Sequence, residues 1–280
     1  MQNNVWFVTG ASKGLGLFLV KTLLERGYRV AATSRTIAAL QEQIGAPTER
    51  WLPLEMELTD EASVRAAVGQ VLSTFGRLDV VVNNAGYGQM GAVEELGDAE
   101  VRRDFEVNVF GTLNVLRATL PHLREQKSGH VFDISSIGGF VGAFSGWGIY
   151  CATKFAVAGL TEGLRSDLEP FGIGVTLVYP GYFRTNFLDA GSVMLPKAPI
   201  AAYEAARASV KQHLDVIHNN QPGSPAKFAD ALIGIYEAGV AKAPLHLFLG
   251  SDAVAMAEQK LAQVTAEVAA TRAIGVSTDF

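Results

Sequence analysis

The chain has 280 residues, 49% hydrophobic and 18% charged, which is ample for a large buried core and incompatible with a disordered chain. A net charge of −5 with no Lys/Arg-rich run argues against a nucleic-acid partner. The lone Cys151 excludes an internal disulfide, and "MQNNVWFVTG" lacks a signal-peptide pattern. No apolar run approaches the ~18 residues of a membrane span, so a cytoplasmic protein is expected.

Short β-branched or aromatic runs alternate with segments of helical period. Val5–Val8 reads as a strand and is followed by Leu15, Phe18, Leu19, Thr22 and Leu23 on one helical face. Next come the strand "RVAATS", a helix near Ile37–Ile44, the strand "RWLPLEM" and a helix over Asp60–Phe75. The strand "LDVVVNN" precedes a helical region around Asp104–Gln126, then "HVFDIS", a helix over Tyr150–Phe171 and "VTLVYP". These strands are apolar throughout, as expected where helices cover both faces of a parallel sheet, so the alternation predicts an α/β, doubly wound, open parallel sheet. After Pro180 the rhythm breaks, predicting an insertion at about 183–220. A helical "PAKFADALIGIYEAG", a last strand "PLHLFLG" and a C-terminal helix at about 253–272 complete one domain over 1–280.

"VTGASKGLG" sets Gly10, Gly14 and Gly16 between the first strand and the first helix. Glycine serves there where φ is positive, where backbone must approach a pyrophosphate, and where helix packs on strand. The helix N-terminus offers unpaired N–H groups to phosphates. An NAD site ordinarily places an acid about 20 positions further on, to hold the ribose hydroxyls. Here Arg35 stands nineteen positions after Gly16, and no Asp or Glu occurs between Glu25 and Glu42. Arg35 can pair with a 2′-phosphate, and Lys13 adds a second cation, so NADP is favoured as cofactor, with NAD possible.

Tyr150 and Lys154 lie four apart near the start of a helix and project from one face. A free phenol titrates near 10, and bringing it to neutrality takes about 4 kcal/mol. An ammonium about 4.5 Å away would supply that at an effective dielectric near 20. Such a tyrosine could take a proton from an alcohol or give one to a carbonyl. Cys151 is expected to point about 100° away from Tyr150 and to act as buried filler. His213 and His218, five apart with no acidic cluster, do not form a metal site.

The glycine loop, "VVNNAG", Asn108, "DISS" and Tyr-x-x-x-Lys, in this order, resemble the short-chain dehydrogenase/reductase family nearly throughout the chain as far as "YPGYFRT". The resemblance implies a Rossmann fold of seven strands in the order 3-2-1-4-5-6-7. It implies cofactor contacts from Gly10, Ser12, Lys13, Gly14, Leu15 and Gly16, from Ser34, Arg35, Glu57 and Leu58, and from Asn84, Ala85 and Gly86. Pro180, Gly181 and Thr185 of "PGYFRT" would lie near the nicotinamide. Tyr150 would be the general acid/base, and Lys154 would lower its pKa and grip the nicotinamide ribose. Ser136 would steady the substrate oxygen, and Asn108 would bend its helix and hold a relay water. Ser136 and Tyr150 are 14 apart, one more than usual, which leaves Ser135 as the alternative serine. Glu57 replaces the usual adenine-contacting Asp.

Phe187, Leu188, Val193, Met194 and Leu195 in the insertion, with Tyr87, Met90, Phe144 and Trp147, predict an apolar lid suited to a hydrophobic alcohol or ketone. The resemblance implies a homodimer or homotetramer built on the helices at Asp104–Gln126 and Tyr150–Phe171. Two further readings compete. A nucleotide-binding regulatory, redox-sensing protein without catalysis would be expected to have lost Tyr150, Lys154 or Ser136, and all three are present. A nucleotide-sugar epimerase would be expected to carry a differently spaced glycine loop.

Overall fold

The computed structural model describes residues 3–189 and 191–280. Its strands are β1 (Val5–Val8), β2 (Arg29–Ser34), β3 (Trp51–Glu55), β4 (Val80–Asn83), β5 (Gly129–Ile134), β6 (Ile173–Pro180) and β7 (His246–Leu249). They form one parallel sheet of seven strands in the order β3-β2-β1-β4-β5-β6-β7. The order agrees with the sequence expectation. The helices are α1 (Gly14–Glu25), α2 (Ile37–Ile44), α3 (Glu61–Phe75), α4 (Asp98–Phe105), α5 (Gly111–Gln126), α6 (Gly148–Leu168), α7 (Glu204–Lys211), α8 (Pro225–Ala238) and α9 (Ser251–Val276).

The alternating side-chain directions of the central strands explain why those strands are apolar at every position. Val5, Phe7 and Val81 enter a core shared with Val64, Val68 and Val71 of α3 and Val115 and Leu123 of α5. Trp6, Val8, Val80 and Val82 enter the opposite core with Leu19 and Leu23 of α1 and Phe228 and Leu232 of α8. Each such side chain, fully withdrawn from water, contributes roughly 1.5–3 kcal/mol of transfer free energy. Local chemistry sets the helix ends. Asp60 accepts the Ala62 N–H at the start of α3, and Gly76 ends that helix at φ +74°. Ser224 caps α8, and Pro225 occupies its first turn.

Two regions depart from the sequence reading. The helix expected from Asp104 begins at Asp98 and runs through a π-turn, Glu106–Phe110, before α5. Glu100 accepts the Gly97 N–H at 3.0 Å, so an acidic first turn extends the helix upstream of its apolar stretch. The segment between β6 and α8 holds a two-residue strand, Val193–Met194, paired in parallel with Gly88–Gln89 after β4. The same segment carries α7 and a second π-turn, Gln212–Ile217, and Phe183 bridges to Gly223 at its base. No described helix is long and apolar enough to cross a membrane.

Candidate active site

A cavity of about 690 Å³ opens over the carboxyl ends of β1, β2, β4, β5 and β6. Open α/β sheets bind ligands at this edge, where the strand order reverses. Gly10, Ser12, Lys13, Gly14 and Leu15 form part of its wall. Gly10 and Gly14 adopt φ +66° and +60°, and a Cβ on Gly10 would lie 2.7 Å from Ala85 Cα. Gly16 stands behind the wall, and a Cβ there would come within 2.5 Å of Asn84 Nδ2 and 2.8 Å of Gly10 O. Asn84 Nδ2 donates to the carbonyls of Thr9 and Gly10, at 2.9 Å each, and locks the loop. At Gly14 a Cβ would meet only Thr185 Cβ, at 3.8 Å. Lys13, at the N-cap of α1, provides no side-chain cap, and the first turn carries no acid. The cradle thus combines close backbone approach with unpaired helix-end N–H groups, which fits a pyrophosphate.

Ser34, Arg35, Glu57 and Leu58 also face the cavity, as do Asn84, Ala85 and Gly86. Ser34 Oγ donates to Thr36 O at 2.7 Å and accepts the Thr36 N–H, folding the turn that presents Arg35. Glu57 Oε1 accepts from Thr59 Oγ1 at 2.7 Å and from the Thr59 N–H at 3.2 Å. Those bonds, with the nearby guanidinium groups of Arg103 and Arg35, hold its carboxyl below the ordinary range. Arg103, which the sequence reading did not single out, lines the same region.

Beneath the cavity lies a buried polar network. Lys154 is 6% exposed, and its Nζ donates to Ile134 O at 3.0 Å. Burial lowers its pKa to about 8 against the pull of Asp104 and Asp133. Asp133 accepts from Asn83 Nδ2 at 2.7 Å and from Thr161 Oγ1 at 2.8 Å. Asn108, inside the π-turn, donates through Nδ2 to Asp104 Oδ1 (2.8 Å), Tyr87 O (2.9 Å) and Thr153 Oγ1 (3.1 Å), and its Oδ1 accepts the Tyr87 N–H. Gly86 lies over this pair, since a Cβ there would be 2.9 Å from Asn108 Oδ1 and 3.5 Å from Lys154 Nζ. Asn108 itself is buried behind the wall.

The structure brings Ser136, rather than Ser135, to Tyr150. Ser135 Oγ donates to Lys154 O at 2.9 Å and ties β5 to α6. Ser136 Oγ accepts the Gly138 N–H at 3.0 Å and lies beside the Tyr150 ring: a Cβ on Gly138 would be 3.4 Å from Ser136 Oγ and 3.6 Å from Tyr150 Cε1. A 3₁₀ turn, Ile137–Gly139, starts directly after Ser136, within that 14-residue spacing. The pairing of Tyr150 with Lys154 differs from expectation. Lys154 Nζ stands 5.9 Å from the Tyr150 ring centroid. Burial dominates and holds the phenol above its ordinary range, with the neighbouring Ser136 hydroxyl drawing it the other way. At neutral pH Tyr150 therefore carries its proton.

Cys151 is buried in an apolar cluster with Trp147 and Tyr150, as the filler reading expects, and it also lines the cavity. A Cβ on Gly138 would be 3.2 Å from its sulfur and 3.4 Å from Ser136 Oγ, so this glycine lets serine and thiol converge. Burial pushes the Cys151 thiol up to about 11. Tyr87, Phe144, Trp147, Phe187, Leu188, Met194 and Leu195 line the cavity as expected, whereas Met90 and Val193 sit behind it in the same cluster. Pro180, Gly181 and Thr185 line the cavity, Thr185 beside Gly14 of the glycine cradle. Tyr182, His213 and Gln221 belong to the wall too, and sequence spacing offered no signal for them. No group of three or more metal-ligating side chains occurs among the described residues.

The sequence model of the short chain dehydrogenase family matches residues 4–195. A 3-ketodihydrosphingosine reductase of Bacteroides thetaiotaomicron is 42% identical over 189 residues, covering 68% of this chain and 67% of the relative. Among solved structures, a short-chain dehydrogenase from Streptomyces avermitilis superposes with a TM-score of 0.89 at 38% identity, over 99% of this chain and 100% of that one. A short chain dehydrogenase from Burkholderia cenocepacia, in complex with NADP, superposes with a TM-score of 0.73 at 28% identity, over 96% of this chain and 98% of that one. The fold, the ordered motifs and these likenesses agree: the chain belongs to the short chain dehydrogenase family of oxidoreductases.

Proposed function

We propose that the protein is an NADP(H)-dependent oxidoreductase that interconverts a hydrophobic alcohol, secondary or primary, and its carbonyl compound. The observation that carries this reading is that Ser136 and Tyr150 stand side by side in the wall of the cavity that also contains the glycine cradle. A nicotinamide cofactor, when bound, supplies or accepts the hydride. The glycine loop and the N-terminus of α1 hold the pyrophosphate, and Lys154 holds the nicotinamide ribose. Arg35, with Lys13 and Arg103 facing the same cavity, favours a 2′-phosphate.

In the reducing direction the Ser136 hydroxyl donates to the substrate carbonyl oxygen and steadies the charge growing there. Tyr150 gives its proton to that oxygen as the carbonyl carbon becomes tetrahedral, which completes the alcohol. In the oxidising direction Tyr150 must first lose its proton, which Lys154, beneath the ring, assists. Phe144, Trp147, Phe187 and Leu188 exclude water from this step and select an apolar substrate. The name of the Bacteroides relative, a reductase of a keto compound, agrees with that class. The segment at about 183–220 acts as the lid within a single catalytic domain. Phe110 and Phe155, 47% and 44% exposed, support pairing of the π-turn–α5 and α6 faces into a homodimer or homotetramer.

A panel of hydrophobic ketones followed by NADPH absorbance tests the reading. Consumption of NADPH with formation of the matching alcohol is expected. NADPH binding without turnover of any panel member would instead support a regulatory nucleotide-binding protein.

A further inference from the structure

A second cavity, of about 360 Å³, is built mainly from the segment between β6 and α8, and Leu195, Pro196, Pro199, Ala206, Val210 and Leu214 line it. That size lies within the ordinary range of ligand pockets. Its charged wall residues are occupied or stand at the rim. Glu95, 4% exposed, accepts the Ala92 N–H at 2.7 Å and the Ile200 N–H at 2.8 Å. Arg207 donates to the carbonyls of Ile200 and Ala201, and Lys211 and Asp215 are exposed. The surface left for a ligand is apolar.

Leu195 lines the active-site cavity as well. The partition between the two cavities is one element thick, since His213 faces the active-site cavity while Val210 and Leu214, from the same α7 and π-turn, line the second. The Phe187 ring lies 6.0 Å from that of Tyr150, centroid to centroid. A Cβ on Gly88 would be 3.3 Å from Phe187 and 3.5 Å from Val193. The short strand Val193–Met194 therefore abuts a ring beside Tyr150, and Leu195 follows it directly, on the substrate side. The backbone is held on both sides of Leu195, as the Met90 N–H donates to Met194 O at 2.9 Å and the Lys197 N–H to Glu100 Oε1 at 3.2 Å. The Leu195 side chain, 47% exposed, can change rotamer without moving that backbone.

Resting on the oxidoreductase reading above, we propose that the second cavity binds the far end of the substrate, joined to the active site past Leu195. The substrate class is then a carbonyl compound, or its alcohol, carrying a long unbranched alkyl chain. An opening the width of one side chain admits a linear chain and stops a fused ring system. A polar tail would lose its hydration in this cavity without gaining a partner, whereas methylene groups gain by leaving water. Leu195 is the gate, and the pinned backbone on either side keeps the opening narrow.

The test compares three methyl ketones: a short linear one, a linear one longer by about six methylenes, and one with the carbon count of the long ketone but its tail closed into fused rings. Each methylene withdrawn from water is worth roughly fourfold, so kcat/KM for NADPH-dependent reduction should favour the long linear ketone over both others by roughly a hundredfold or more. Val210→Trp, which fills the second cavity, should cut the long-to-short ratio at least tenfold, and its turnover of the short ketone shows that the active site has formed. Leu214→Phe, from the same wall, repeats the comparison if Val210→Trp reduces no ketone. In parallel, calorimetry measures dissociation constants of the three corresponding alcohols with wild type, where the same ordering is expected without any turnover. Equal kcat/KM for the long linear and fused-ring ketones, or a long-to-short ratio unchanged in the variant, would overturn the tail site and leave the oxidoreductase reading standing. If wild type reduces no ketone, that reading fails, and calorimetry decides the tail site independently: tightest binding of the long linear alcohol supports it, and equal affinities overturn it.

Discussion

Asp104 is an unfavourably placed charge, and neutralising it should stabilise the protein in a pH-dependent way. It is fully buried in α4, its Oδ1 accepts from Asn108 Nδ2 at 2.8 Å, and its Oδ2 has no partner among the described residues. Burial raises its pKa from 3.8 to about 7, and the charge on Lys154 offsets only part of that. The folded state therefore binds this proton more tightly than the unfolded one, so its contribution to stability falls as pH rises from about 4 to about 7 and is level above. At pH 8 the retained carboxylate costs at most about 4 kcal/mol. Asp104→Asn keeps the acceptor for Asn108 but places an amide N–H at the partnerless position, which costs about 1–3 kcal/mol. The net expectation is a gain of about 1–3 kcal/mol at pH 8, or a few degrees in Tm for a chain of this size, and no gain at about pH 5. Thermal unfolding of both proteins at the two pH values measures this. A loss of stability in the variant that is larger at pH 8 than at pH 5 would show that attraction to Lys154 outweighs desolvation, and would refute the reasoning.

Three further outcomes are expected. Arg35→Asp should raise the NADPH dissociation constant at least tenfold more than that of NADH, by fluorescence titration, and an equal effect on both removes Arg35 from cofactor choice. Gly16→Ala forces a methyl onto Asn84 Nδ2 and Gly10 O, so the variant should lose about 1–3 kcal/mol of stability and bind NADPH more weakly. Unchanged melting and affinity would mean that the loop does not need this close approach. Because Tyr150 is held above its ordinary pKa, reduction should vary little between about pH 6 and 9 while alcohol oxidation climbs, since only the oxidising direction needs the phenolate. A reduction rate that falls steeply from about pH 7 would contradict the protonated phenol.

Periodicity made the strands legible. Val5–Val8 and Val80–Asn83 are apolar because helices cover both faces, and that pattern is visible without coordinates. The glycine loop, Tyr150 and Lys154 were legible because each group acts within one turn or one helix. Ser136 was readable only as far as its spacing allowed, and the choice against Ser135 came from the bond between Ser135 Oγ and Lys154 O. Asp104 and the Tyr182–His213 pair were not legible. Tyr182 and His213 are 31 positions apart, on either side of a segment with no strong period, and nothing in spacing predicts their contact. The upward direction of the tyrosine's pKa was not legible for a related reason. Pairing with Lys154 follows from the i,i+4 spacing, but desolvation depends on everything that covers Tyr150.

The central claim is that Tyr150 transfers the proton to a carbonyl oxygen in a site that holds NADPH. The most direct measurement follows NADPH absorbance with wild type and Tyr150→Phe against the same hydrophobic ketone, beside a titration of NADPH binding to each. The account predicts that wild type turns over, and that Tyr150→Phe binds NADPH comparably but loses at least a hundredfold in kcat. Tyr150→Phe retaining wild-type kcat, or both proteins binding NADPH with neither consuming it, would contradict it.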